Sequence, residues 1–168
     1  AIVVFSADNY NTARERLMGR QSATEGFLRG LVRHGELDEF WCYCLRREDL
    51  ETFRKRVAEF AGAARPCQAV PPLDMAAWSQ VGTLYRPRPN VGHFAWLRRG
   101  FGQRSFGICG VTHTTAEHVV MDGIAESLDG PTQPWDALVC TSAQVREIAA
   151  YMLDQLADFM LARFGGKK

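Results

Sequence analysis

Ser105-Phe-Gly-Ile-Cys-Gly-Val-Thr-His-Thr-Thr-Ala-Glu-His118 is the stretch from which the rest of the chain can be read. Its apolar first half, rich in small residues, reads as a central strand. Thr114 followed three residues later by Glu117 has the spacing of a capping box, so a helix is expected to begin there. His113 then stands at the carboxyl edge of a sheet. In open α/β sheets ligands bind at that edge, because strand ends and the amide-rich starts of the following helices open into one crevice.

A chain of 168 residues with 46% hydrophobic content suits a single domain with one core, expected over 1–168. No apolar run approaches the roughly 20 residues that a membrane-spanning helix needs. The opening Ala1-Ile-Val-Val-Phe5 lacks the basic flank and length of a secretion signal. A cytoplasmic protein is therefore expected. Cys42, Cys44, Cys67, Cys109 and Cys140 form no C-x-x-C pair and sit mostly in apolar runs, as small hydrophobes do in a reducing compartment. The chain opens inside a strand without a methionine and ends on Gly165-Gly-Lys-Lys168. A fragment of a larger enzyme is expected, although glycine followed by lysines is also an ordinary helix stop.

Strand and helix alternate along the chain. Ile2 to Phe5, Phe40 to Leu45, Cys67 to Val70, His93 to Leu97, Phe106 to Val111 and Ala137 to Cys140 read as strands, several apolar on both faces as buried parallel strands are. Leu50, Phe53, Val57 and Phe60 mark an amphipathic helix that stops at Gly62. Val145, Ile148, Ala149, Met152, Leu156, Phe159 and Met160 mark another, started by Thr141 with Gln144. A short segment after Asp74 and the run from Thr115 to Leu128 are further helices. The pattern predicts an α/β fold: a doubly wound, mostly parallel sheet with helices on both faces.

The net charge of +1 hides an uneven distribution. No acidic residue lies between Asp74 and Glu117, where Arg86, Arg88, Arg98, Arg99 and Arg104 accumulate. Phe94, Trp96, Phe101 and Phe106 interleave with them, a mixture that suits phosphates or lipid headgroups. An ordinary solvated basic loop is the competing reading. After the first strand, a polar loop leads through Gly19 and Arg20 into a helix carrying Phe27, Leu28 and Leu31. Gly19 permits close backbone approach and the helix start favours an anion. The alternative places the helix cap at Ser22 with Glu25.

Other patterns carry less. Gly100-Phe-Gly102 begins like a dinucleotide fingerprint, but it precedes a strand and lacks the third glycine, so it reads as a turn. His113 and His118 lie across a strand-to-helix break with no convergent ligands, so no metal is expected. Neither a serine nucleophile elbow nor a catalytic carboxylate pair is evident.

Taken together, Leu17-Met-Gly-Arg-Gln-Ser-Ala-Thr-Glu-Gly-Phe-Leu-Arg-Gly-Leu31, Gly110-Val-Thr-His-Thr-Thr115, Pro134-Trp-Asp-Ala-Leu-Val-Cys-Thr-Ser142 and Val145-Arg146 resemble the N-terminal half of bacterial glycosyltransferases of the GT-B architecture, in the large group-one or family-four set. The resemblance covers most of the chain. It implies a Rossmann-like acceptor domain facing a donor-binding domain across a cleft. Such enzymes transfer a sugar from a nucleotide diphosphate sugar to a glycosyl acceptor without a bound metal or other cofactor, usually with retention.

The same resemblance gives His113 the place of the cleft histidine, which lines the acceptor and sugar site, and puts Gly19 in the glycine loop near the donor phosphates. Met18-Gly19 stands where a glycine pair is common in that family. Arg20, Thr112, Thr114, Arg86 and Arg88 are expected around the substrate, and Arg98, Arg99 and Arg104 on an acidic membrane surface or a phosphate-bearing acceptor. No nucleic-acid partner is expected. The positive end of the helix dipole would keep a histidine at a helix start neutral, and the competing role for His113 is to lock the turn. The nucleotide-sugar half of the family carries a Glu-x7-Glu motif. Glu51 and Glu59 have that spacing, but they lie on an amphipathic helix and read as surface residues. The chain alone is thus expected to be inactive, needing a C-terminal donor domain. The alternative is a stand-alone doubly wound binding or regulatory module that uses its apolar last helix as an interface, since this architecture hosts unrelated functions.

Overall fold

The computed structural model describes residues 1–10 and 19–165, apart from the side chains of Asn9, Arg20 and Met75. They fall into two compact units, Ala1–Tyr85 and Arg86–Lys168. The first runs β1 (Ile2–Val4), a 3-10 turn (Ala7–Asn9), α1 (Gly19–His34), β2 (Phe40–Tyr43), α2 (Arg47–Ala61), β3 (Cys67–Ala69), α3 (Met75–Val81) and β4 (Thr83–Arg86). Its strands lie in the order β3-β2-β1-β4, all parallel. The chain steps outward from β1 to β3 and then returns past β1 to make β4. That reversal is the doubly wound topology, and right-handed crossovers require α1 and α2 on one face and α3 on the other.

Side-chain packing agrees with that assignment. Val3 is in register with Cys42 and Tyr85, so these residues and Phe5 share one face. Phe53 of α2 meets Phe5 edge-on at 5.2 Å, and Phe27 of α1 stacks on Tyr85 at 3.6 Å. Tyr43 points to the opposite face and meets Trp78 of α3 at 5.4 Å. Ile2, Leu28, Phe53, Val57, Trp78 and Leu84 are fully buried between these layers. The fold class is α/β, a Rossmann-like doubly wound parallel sheet with helices on both faces.

The second unit runs α4 (Gly92–Phe101), β5 (Gly107–Thr112), α5 (His118–Asp129), β6 (Ala137–Cys140) and α6 (Ala143–Phe164). β5 and β6 are parallel, with Val111 opposite Val139 and Thr112 opposite Cys140. α5 packs between α4 and α6. Among the described residues, no helix is long and apolar enough to cross a membrane.

Several local expectations are corrected. The strand expected at His93–Leu97 is helix α4. Its start has no polar cap of its own; Glu126 of α5 accepts from the Gly92 amide at 3.1 Å, placing a carboxylate at the positive end of the helix. The short strand β4 was not foreseen, being four residues enclosed by Gly82 and Pro87. Gly19, Arg20 and Gln21 are already helical in α1, so Ser22 is not its cap. α6 is capped by Ser142, which accepts from the Val145 amide at 3.2 Å, one residue beyond the expected Thr141. Most of the α6 stripe is not core: within that helix only Ala149 is buried, while Ile148 and Phe159 are exposed. The thiols are all free, with Cys42 and Cys67 buried and Cys44, Cys109 and Cys140 half-buried.

Candidate functional site

β5 ends at Thr112, which puts His113 at the carboxyl edge of the second unit, half-buried. The helix does not follow at once. Thr114 Oγ1 accepts from the Ala116 amide at 3.1 Å, a hydroxyl-stabilised turn two residues long, and α5 begins only at His118 with Glu117 as its cap. His113 is therefore not in the first turn of a helix, and the dipole-based expectation for its charge loses its premise.

Thr112 was expected to bind substrate, but it is fully buried and its hydroxyl donates to the Thr114 carbonyl at 2.9 Å. It shapes the turn that carries His113 without reaching a ligand. Thr114 is half-buried, and its hydroxyl proton can still donate after the oxygen has accepted the Ala116 amide. Thr141, at the end of β6, donates to the Thr112 carbonyl at 3.1 Å and ties the two strand ends together. Sequence reasoning gave Thr141 only a capping role. Its signal was register: a hydroxyl just after the strand that pairs with the histidine strand.

The loop after β4 reaches the same end of β5. The Arg88 carbonyl accepts from the Val111 amide at 3.3 Å. A Cβ on Gly110 would lie 2.7 Å from Val91 Cγ1 and 3.0 Å from the Arg88 carbonyl, and one on Gly123 would lie 2.9 Å from Asn90 Cβ. These two glycines let β5 and α5 close on the loop from either side. Arg86 Nε donates to Asn90 Oδ1 at 3.0 Å, and its guanidinium lies 5.2 Å from the Phe94 ring centre. Arg86 and Arg88 are thus carried on a fixed loop against the strand that ends at His113. Gly110→Val should destabilise the fold by about 1–3 kcal/mol through overpacking, and should move the Arg88 and Asn90 amide resonances. Unchanged resonances with unchanged denaturation would show that the loop is not held there.

The arginines expected on one surface divide. Arg98 is fully buried: its guanidinium donates to both Asp136 carboxylate oxygens, at 2.5 and 2.7 Å, and to the Phe106 carbonyl at 3.0 Å. It cannot face a membrane or an acceptor, because it occupies an i+4 position on the inner side of α4 below Phe94. Asp136 also accepts from the Ile108 and Gln133 amides, at 2.9 and 2.8 Å. Arg99 and Arg104 remain exposed. Arg99 lies over the ring of Trp96, which is 54% exposed, with its guanidinium 5.4 Å from the ring centre.

Gly19 is the first described residue of α1 in the other unit, and a Cβ there would meet nothing within 4 Å among the described residues, so no close backbone approach there calls for a glycine. The Arg20 side chain and the adjoining Leu17-Met18 lie outside the described residues. Glu51 and Glu59 are exposed on α2, as read. Among the described residues, no group of three or more His, Cys, Asp or Glu side chains could hold a metal ion. No family model, curated protein or solved structure matches the chain.

Proposed function

We propose that this chain is the acceptor-side domain of a GT-B glycosyltransferase, inactive without a donor-binding domain that supplies the nucleotide diphosphate sugar. The observation that carries the reading is the placement of His113 directly after β5, on a turn braced by Thr112 and Thr141, with the Arg86–Asn90 loop clamped to the same strand. In an open parallel sheet this end is where ligands bind. An imidazole there can accept from, or donate to, an acceptor hydroxyl, with Thr114 as a second hydrogen-bonding group and Arg86 and Arg88 as counter-charges for a phosphate. Metal-independent, retaining transfer to such an acceptor is the chemistry proposed. The working place is the cytoplasm, peripherally at the inner face of a membrane. The exposure of Ile148, Tyr151 and Phe159 on α6 favours a second reading, a non-enzymatic binding or regulatory module that presents this helix to a partner.

Titration with phosphorylated glycosides, followed by backbone amide resonances, separates these readings. Acceptors of that class should shift His113, Thr114 and Thr141, while nucleotide sugars should leave them unmoved and unhydrolysed. His113→Ala should abolish the acceptor response with little change in melting temperature. A large loss of stability with the response intact would reduce His113 to a lock on the turn. Turnover of a nucleotide sugar by the isolated chain would overturn the assignment of the donor site to another domain.

A further inference from the structure

We propose that a closed polar site in the first unit binds one internal water, shared by the hydroxyls of Tyr10 and Thr24. The proposal does not depend on the glycosyltransferase reading. Both side chains are fully buried, and neither hydroxyl has a hydrogen-bond partner among the described residues. A buried hydroxyl left unpaired weakens a fold, and internal waters are the usual remedy, each typically making about three hydrogen bonds to such groups.

The fold brings the two side chains into one layer, between α1 and the sheet. Phe5 continues β1, and Tyr10, just after the 3-10 turn, stacks on it with ring centres 4.4 Å apart. Gln21 donates to the Asp8 carbonyl at 3.4 Å, which lays the start of α1 over that turn. Thr24 is the next residue inward on the same face of α1, followed at four-residue spacing by the buried Leu28 and Val32. It stands one helical turn before Phe27, which stacks on Tyr85 at 3.6 Å. Tyr85, with Cys42, also neighbours the Tyr10 hydroxyl. Both hydroxyls are thereby placed beside Tyr85.

The chemistry selects water. Each hydroxyl donates once and also accepts, so a molecule that does both can satisfy the pair from a single position. An ion would lack a counter-charge, because Glu25, the carboxylate of α1, is already engaged by Arg29 at 3.3 Å and by Arg56 at 3.9 Å. Burial pushes the Tyr10 phenol well above its usual range, so it stays a protonated donor. Thr24 occupies a stripe that otherwise carries leucine and valine, where a hydroxyl needs a partner to be tolerated. Its water ties the chain after β1 to α1 beside the β1–β4 pair, where the strand order reverses.

Urea denaturation of the wild type, Tyr10→Phe, Thr24→Val and the double variant tests the proposal. Each single substitution breaks the bridge and strands the remaining hydroxyl, so each should lower the folded-to-unfolded ratio roughly five- to thirtyfold. The double variant removes both hydroxyls and the need for the water, so it should regain most of that loss. Hydroxyls that share no water give a different pattern: single substitutions are neutral or stabilising, and their effects add. A single variant at least as stable as the wild type, or a double variant that loses as much as both singles together, would overturn the proposal. A crystal structure of the wild type decides even where a variant fails to fold. An ordered water within roughly 3 Å of both oxygens supports the bridge, while a dry site or a direct Tyr10–Thr24 hydrogen bond refutes it.

Discussion

Arg98→Ala should lower the stability of the second unit by about 3–5 kcal/mol, the range expected when one partner of a buried ion pair is removed. The cost comes from what remains. Asp136 would keep two backbone amides, from Ile108 and Gln133, but would lose both charged hydrogen bonds while still largely buried. The Phe106 and Pro131 carbonyls would lose their donor as well. Asp136→Ala should be at least as damaging, since it strands a fully buried guanidinium and opens the cap over the start of β5. A combined Arg98→Met/Asp136→Leu variant should recover part of the loss, because replacing both charges removes the uncompensated one. It should not recover all of it, as the two amides still lack an acceptor. Urea denaturation of the four proteins measures the effect, and a single-variant loss below about 1 kcal/mol would mean that the pair behaves like a surface bridge.

That ion pair also shows where sequence reading reaches its limit. The acid-free interval was legible, but which of its arginines turn inward was not, because the deciding partner lies 38 residues downstream. The same holds for α4. His93-Phe-Ala-Trp-Leu97 is a continuous apolar run, and such a run fits a strand as well as a buried helix. The usual arbiter is a polar cap at the start, and here Val91 offers none. The carboxylate that serves the helix start comes from Glu126, 34 residues away. By contrast, the apolar stripe and the end of α2 were legible, since its apolar spacing and its terminal Gly62 are both local signals, whereas its start at Arg47, behind Arg46 with no side-chain cap bond, and its buried Asp49 were not. At the candidate site, the strand ending on His113 was legible from composition alone. The late start of α5 was not, because Thr114 spends its oxygen on the nearer Ala116 amide and leaves the capping-box geometry unused.

Once Arg98 is withdrawn from the surface, the exposed side of α4 presents His93, Trp96 and Arg99, with Arg104 in the turn beyond. Vesicles containing acidic lipid should bind the chain through this face. Each arginine near such a surface contributes on the order of 1 kcal/mol, so removing the attraction of two should weaken binding roughly thirtyfold. Arg99→Glu/Arg104→Glu should do at least that, while Arg47→Glu, at a 93% exposed side chain on α2, should not. Salt should weaken the wild-type interaction, because screening shortens its reach to roughly 8 Å at physiological ionic strength. Trp96 adds a different contribution. Its ring is half exposed and already carries Arg99, so insertion at the headgroup level would bring both to the interface and leave a salt-resistant remainder that Trp96→Ala removes. Co-sedimentation at low and physiological salt measures both parts. Equal loss with Arg47→Glu, or no binding at low salt, would make Arg99 and Arg104 ordinary solvated charges and withdraw the membrane from the proposed function.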